Sequence, residues 1–403
     1  MLGVSETINT NLGIVKMRNF TEEQVAFRGE FRKFLEREVA PHMPRFREEG
    51  IVDREIYRKA GEQGFLLIWA DEEYGGIGDN DFRFEQIIME EVARADCTEW
   101  FPTLHSRMVG PYLQRFGTPE QLKRFLPKCV SGEAILAVAM TEPDAGSDLS
   151  GMRTNIKDMG DHYLLNGSKL YISNGINADY VILAAKSGGA ENPHEMALMV
   201  VERGMEGFRR GRKLDKMGLV GQDTAELFFD NVKIPKNNIL GDPKQGFKYL
   251  MRGLVEERLI GSTTYMAAAH RAFDITRSYV MQRKAFGKTI SAMQNTQFKM
   301  ADLAAQLNAM QDYLDLCVAK HNEDALTPVD AAGLKLLTSE LEWKMVDEGV
   351  QLHGGAGYMK EFEICRLFTN ARINRILAGS SEIMKLIIGR EIFSDNYKPF
   401  LDQ

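Results

Sequence analysis

The chain has 403 residues, 44% of them hydrophobic and 27% charged, and a formal net charge of −7. That balance belongs to folded globular proteins and excludes disordered and fibrous classes. The acidic excess speaks against nucleic acid as a partner, because a basic surface would have to supply the affinity.

A chain of this length predicts two to three domains at roughly 150 residues each. No apolar run approaches the ~20 residues of a membrane span. Residues 1–17 hold neither the apolar core of a signal peptide nor an Arg-rich, acid-free leader. Cys97, Cys129, Cys317 and Cys365 form no CxxC, and no HExxH occurs, so neither a disulfide framework nor a metal site is expected. The cysteine usage fits a reduced, cytoplasmic, bacterial-type compartment.

In chain order, residues from about 20 to 135 predict helices. Thr21 before Glu22 and Glu23 reads as an N-cap with acids in the first turn. Phe27, Phe31, Phe34 and Leu35 follow at helical spacing. Thr118-Pro119-Glu120-Gln121 predicts a new helix after the break at Gly117. From about 136 to 243 the period becomes strand-like. Asn166-Gly167 predicts a type I′ hairpin within residues 163–172, and residues 180–185, 196–201 and 225–229 add short β-rich runs. With no helices between them, these runs predict a small antiparallel barrel or sandwich.

From about 244 the pattern is helical again, over 254–286, 294–322 and 328–353. Gly354 and Gly355 are expected to close the third of these helices in the left-handed conformation. Shorter helices are expected near 361–377 and 380–393. The fold class is therefore α+β: an N-terminal helical domain over 1–135, a middle antiparallel β-barrel domain over 136–243, and a C-terminal helical bundle over 244–403.

Common cofactor signatures are missing. No GxGxxG or GxSxG occurs, and Gly287-Lys288-Thr289 lacks the opening glycine of a P-loop because Gln282 stands there. The string AMTEPDAGSD over residues 139–148 is more informative. By local chemistry it is an Asx-type loop whose Gly146-Ser147 turn can offer N–H groups and a hydroxyl to an anion. As a string it resembles the first signature of the acyl-CoA dehydrogenase family of flavoproteins. The resemblance extends from about residue 21 to 393. It is carried by YISNG (171–175), KMG (216–218) with TAEL (224–227), RKAFGK (283–288) followed by Gln294, QLHGGAGY (351–358) and AGSSEI (378–383). Within the family, GQDTAELFF (221–229) and Glu257-Arg258-Leu259 resemble the long-chain branch most, with the isovaleryl-CoA branch next.

The resemblance implies a helical domain, a β-barrel and a four-helix domain, assembled as a homotetramer with FAD at a dimer interface. It implies removal of an α-proton from an acyl-CoA and transfer of the β-hydride to flavin. The product is a trans-2-enoyl-CoA, and the electrons leave through electron-transfer flavoprotein. Many members carry the base just before the final Gly-Ser block. Here that position is Ala378, which accepts no proton. The long-chain and isovaleryl types place the base on the helix preceding the flavin-contact segment, which matches Glu257. By its own chemistry Glu257 also reads as an ordinary exposed helix carboxylate.

The implied cofactor-binding set is Met140, Thr141, Gly146, Ser147, Tyr171, Ser173, Arg283, Phe286, Gln294, Gln351, Gly354, Gly355, Ser380 and Glu382. RKAFGK is expected to lie on a helix. Tyr171 stands where the family commonly has tryptophan. The implied substrate-binding set is Ser147, Val255, Glu256, Arg258 and Gly379, with Glu256 turned ~100° away from the base. Met251, Met266 and Met281 with Gly261, Ser262 and Ala267 to Ala269 fit either an acyl tunnel or close helix packing. Alternatives kept open are a branched short-chain dehydrogenase, an acyl-CoA oxidase, and an inert flavin-free scaffold of the same fold.

Overall fold

Thr21, Thr118 and Thr327 each close a capping box. The threonine oxygen accepts from the backbone N–H three residues on, and Gln24, Gln121 and Asp330 reach back to the cap. These helix starts belong to a computed structural model that describes residues 20–189, 192, 194–395 and 397–398; the leader reading over 1–17 lies outside them.

The first layer is helical: α1 (Glu22–Phe34), α2 (Met43–Glu49), α3 (Arg54–Glu62), α4 (Arg83–Arg94), α5 (Gly110–Phe116) and α6 (Pro119–Val130). A π-helical segment, Leu104–Val109, leads into α5. The aromatic spacing of α1 buries Phe31 and Phe34 against Phe65 and Trp100.

The middle layer holds β1 (Leu136–Ala139), β2 (Asn155–Asp158), β3 (His162–Ser173), β4 (Tyr180–Lys186), β5 (Met196–Glu202), β6 (Phe208–Lys213), β7 (Thr224–Pro235) and β8 (Ile239–Leu240). They form one sheet in the order β6-β7-β3-β2-β4-β5-β8, with β1 joined to β4. Most pairs are antiparallel as expected, but β1 and β2 each run parallel to β4, so the sheet is mixed. One face gathers a core from every strand. In β4, Val181 and Leu183 face that core while Ile182 and Ala184 face the N-terminal helices.

The hairpin expected at Asn166-Gly167 is corrected. Residues 162–173 are one strand, and the turn lies before it, around Gly160, where Met159 N–H donates to His162 O. Gly167 instead marks a bulge against β7. A side chain there would come within 2.7 Å of Thr154 Cα, so the position needs glycine for close strand approach rather than for a turn.

The third layer is α7 (Gly246–Gln282), the short hairpin β9 (Lys284–Ala285) and β10 (Lys288–Thr289), α8 (Gln294–Asn322), α9 (Pro328–His353), α10 (Glu363–Ala371) and α11 (Ser381–Ile392). Helix α7 ends four residues earlier than expected. Arg283 turns extended, and Phe286 and Gly287 both take positive φ (52° and 78°) in the hairpin turn. The Arg283 segment is therefore not helical. Gly354 does take positive φ (61°), but with ψ −138° it lies outside the left-handed helical basin. Met266 and Ala269 pack in the bundle core, whereas Met251 and Met281 are exposed; these methionines line no common tunnel. No helix among the described residues is long and apolar enough to cross a membrane.

Candidate active site

The first turns of α7 place two adjacent carboxylates in opposite surroundings, both buried. Glu256 is enclosed by two guanidinium groups and an imidazole. Arg107 Nε donates to Oε1 at 2.5 Å, Arg115 Nη2 donates to Oε2 at 2.5 Å, and His321 Nε2 lies 3.2 Å from Oε1. Burial alone would raise this carboxyl, but the Arg107 charge, the His321 contact and the Arg115 charge overcome it and hold it well below the usual range. Its side chain is committed to that cluster, so only its backbone is left to line a substrate pocket.

Among the described residues the Glu257 side chain has one hydrogen bond: the Tyr112 hydroxyl donates to Oε1 at 2.9 Å. Its second oxygen accepts none from the described residues. Burial pushes it up to about 7, against the lowering effects of the Tyr112 hydrogen bond and the Arg258 charge, and Glu256 raises it further. A buried carboxyl poised near neutrality with a free oxygen is the chemistry of a general base.

Arg258, the next residue, is buried, and its Nε has no hydrogen-bond partner among the described residues. A side chain added at Gly379 would stand 3.9 Å from Arg258 Nη2. The fully buried Lys335 donates from Nζ to Gly379 O at 2.7 Å, and burial followed by the Arg258 charge pushes that ammonium down to about 8. Two cations thus converge on the turn at Ala378 and Gly379, where both residues have positive φ (54° and 94°). Glu257, Arg258 and Gly379 are brought together; Val255 is half-buried on the same helix.

The residues expected to hold the cofactor lie on two surfaces. On the β-domain, Lys169 is buried and donates to Met140 O at 2.9 Å and to Glu142 Oε1 at 2.8 Å. Glu142 in turn accepts from the N–H groups of Arg153 and Thr154. This clamp fixes the loop that carries Met140, Thr141, Gly146 and Ser147. Beside it, Leu170 N–H donates to Thr141 O at 2.9 Å. A bulge then turns Tyr171 outward with φ 62° and 66% exposure, followed by Ser173.

On the C-terminal layer, Arg283, Phe286, Gln294, Gln351, Gly354 and Gly355 are all exposed. Tyr279 joins these segments, stacking on His353 at 4.2 Å and donating to its carbonyl. Ser380 caps α11 by accepting from Ile383 N–H, and Glu382 stands in the first turn. The side chains of Thr141, Ser147, Ser173, Arg283, Gln294 and Gln351 make no hydrogen bond among the described residues. Free hydroxyls and amides with an unpaired guanidinium suit an anionic, hydrogen-bonding group such as FAD.

Tyr112, Arg107, Arg115, His321, Lys335 and Lys169 were not legible in the sequence. Each acts on a residue distant in the chain, and none carries a local pattern.

The chain matches the family models for the acyl-CoA dehydrogenase N-terminal domain over residues 21–133, the middle domain over 137–232 and the C-terminal domain over 244–393. It belongs to the acyl-CoA dehydrogenase family, FAD-dependent oxidoreductases of fatty acid β-oxidation. It is 44% identical to the long-chain specific acyl-CoA dehydrogenase of Mus musculus over 96% of this chain and 90% of that protein. It is 36% identical to the isovaleryl-CoA dehydrogenase of Pongo abelii over 94% and 90%. The crystal structure of an acyl-CoA dehydrogenase from Geobacillus kaustophilus superposes with a TM-score of 0.91 at 42% identity, covering 94% of this chain and all of that one.

Proposed function

We propose that this enzyme dehydrogenates medium- to long-chain acyl-CoA to the trans-2-enoyl-CoA, with Glu257 as the base. The observation that carries the reading is the state of Glu257: buried, raised to about 7, with one oxygen held and the other open. Ala378, where many relatives place the base, has no proton acceptor. Glu257 takes the α-proton of the thioester. Arg258, Lys335 and the Gly379 turn form a cationic wall beside it, suited to the polar end of the substrate. Bound FAD, held by the loop at 140–147, Tyr171, Ser173 and the set around Arg283, would supply the acceptor for the β-hydride.

Chain length is read from the relatives: the identity to a long-chain relative, 44%, exceeds that to an isovaleryl-CoA relative, 36%. Glu257, Gly261 and Tyr265 follow at intervals of four on one face of α7. A side chain at Gly261 would come within 2.8 Å of the Tyr265 hydroxyl, so that ring stands over the face beside the base.

Two further parts of the reading concern partners. Phe286, Tyr358 and Phe298 are 95%, 80% and 65% exposed on the C-terminal layer. Aromatic rings so exposed beside a cofactor surface support a second copy of this chain as their cover, within a homotetramer. Electron-transfer flavoprotein is the proposed electron acceptor.

An anaerobic visible titration tests the reading. A bound flavin band should bleach with a long-chain acyl-CoA and bleach less readily with isovaleryl-CoA. A flavin band that no acyl-CoA bleaches would overturn the substrate class. A colourless protein that cannot be reconstituted with FAD would return the scaffold alternative. Because the base must be ionised to act, reduction should rise with pH through a midpoint near 7.

A further inference from the structure

Helix α7 carries a glycine where a buried helix interior would ordinarily take a larger side chain. Gly253 stands one turn before Glu257, and a side chain built on it would come within 2.1 Å of the Tyr112 hydroxyl oxygen and 2.6 Å of Cζ. The phenol therefore lies directly against the helix backbone at this point. From that seat its hydroxyl reaches Glu257 Oε1 at 2.9 Å. Glycine in a helix interior is less stable than alanine, so the fold accepts a weaker helix here to admit the ring.

We propose that Tyr112, seated over Gly253, is a positioning residue for the base. It holds one carboxylate oxygen of Glu257 in a fixed direction and leaves the other to take the substrate proton. Several features make the seat specific. Tyr112 is 2% exposed and belongs to α5, a short helix packed on α7. Burial and the neighbouring Glu257 keep its phenol well above its ordinary value, so it stays a neutral donor. No other described side chain donates to Glu257, so without Tyr112 the base has no orienting partner.

The charged groups around the base are Glu256 and Arg258 on its own helix. Beyond Glu256 stand Arg107 from the π-helical segment, Arg115 from α5, Glu85 from α4 and His321 from α8. Beyond Arg258 stands Lys335 from α9. Among these groups Tyr112 is the one that reaches the carboxylate with a hydrogen bond, and that bond favours its charged form.

The inference rests on the reading of Glu257 as base, and the test separates the two. Flavin reduction by acyl-CoA is measured from pH 6 to 9 in the FAD-bound enzyme. Exchange of the acyl α-proton with D2O is followed alongside by NMR. In Tyr112→Phe both profiles should shift upward by roughly one pH unit, because a donor to the charged form is gone. Reduction at neutral pH should fall several-fold and recover toward pH 9. Gly253→Ala should shift the midpoint the same way with the tyrosine still present, since its methyl displaces the hydroxyl; it carries the test if Tyr112→Phe fails to fold. A purely structural role would lower flavin content or thermal stability without moving the midpoint. An unmoved midpoint, with Glu257→Gln inactive at every pH, would overturn the positioning role alone. Normal reduction and exchange in Glu257→Gln would overturn the base and this inference with it.

Discussion

The two ends of α7 follow opposite rules. Near its start, Glu256, Glu257 and Arg258 are buried, and partners from four other helical segments surround them within one chain. Just past its end, Arg283 and Phe286 are exposed, and the Arg283 guanidinium has no partner among the described residues. The surroundings of Glu257 are complete within one chain, whereas Arg283 and Phe286 lie on an exposed surface. The difference teaches that burial does different work in the two places. At Glu257 it raises a pKa and has to be built into the core. At Arg283 none of the described residues supplies it.

The comparison breaks most easily at Glu257. Glu257→Gln keeps the shape but not the acceptor, so flavin reduction should fall by about three orders of magnitude or more while FAD and acyl-CoA still bind. Rapid-mixing absorbance checks this, and near-normal rates would move the base elsewhere. Next comes Glu256→Gln. It leaves Arg107, itself 3% exposed, without its counter-charge, and should cost about 3–5 kcal/mol in denaturant unfolding. Its sign on the base is opposite to that of Tyr112→Phe. The Glu256 charge raises Glu257, so removing it should lower the midpoint of the pH profile. A carboxyl held low in the fold stabilises above its ordinary value of 4.5 and loses that contribution as pH falls toward its folded value. The variant should therefore lose more stability at pH 7 than at pH 4, and equal losses would show that Glu256 is not the ionised partner.

At the other end of α7, Arg283→Ala should weaken FAD retention by roughly ten- to a hundredfold, the worth of charge-assisted hydrogen bonds at about 1.5–3 kcal/mol. Fluorescence of released FAD on dilution measures it. The pH midpoint of reduction should not move; a moved midpoint would mean that the two ends are coupled and the comparison fails.

How much of this was legible in the sequence follows the range of each interaction. The capping boxes at Thr21, Thr118 and Thr327 are local, and their helices begin where expected. The helix spans of α8 and α9 likewise follow from periodicity. Asn166-Gly167 misled because the dipeptide that makes a turn also makes a bulge, and the choice depends on Thr154, just before the neighbouring strand β2. Arg283 misled because the helix end is set by the hairpin turn at Phe286 and Gly287. The motif strings gave the family and pointed to Glu257. They gave no sign of Tyr112, Arg107 or His321, which stand 145, 149 and 65 residues from their acid partners on α7.

The smallest expected effect concerns Tyr171. Its φ of 62° is unusual for a residue with a large side chain, and the ring is 66% exposed. Holding a non-glycine residue in that region costs about 1 kcal/mol or more. Nothing in the monomer core gains from it, because the ring faces outward. The strain is intelligible if the exposed ring serves the flavin surface. Tyr171→Gly should then relieve the strain and lose the ring together. Glycine also adds freedom to the unfolded chain, which offsets part of the gain, so the flavin-free protein should become more stable by less than 1 kcal/mol. The FAD-bound protein should gain nothing or lose stability, because binding no longer has the ring to cover it. Thermal unfolding with and without FAD reads both changes. Equal shifts in the two states would mean that Tyr171 serves the fold, and the exposed surface would begin beyond it.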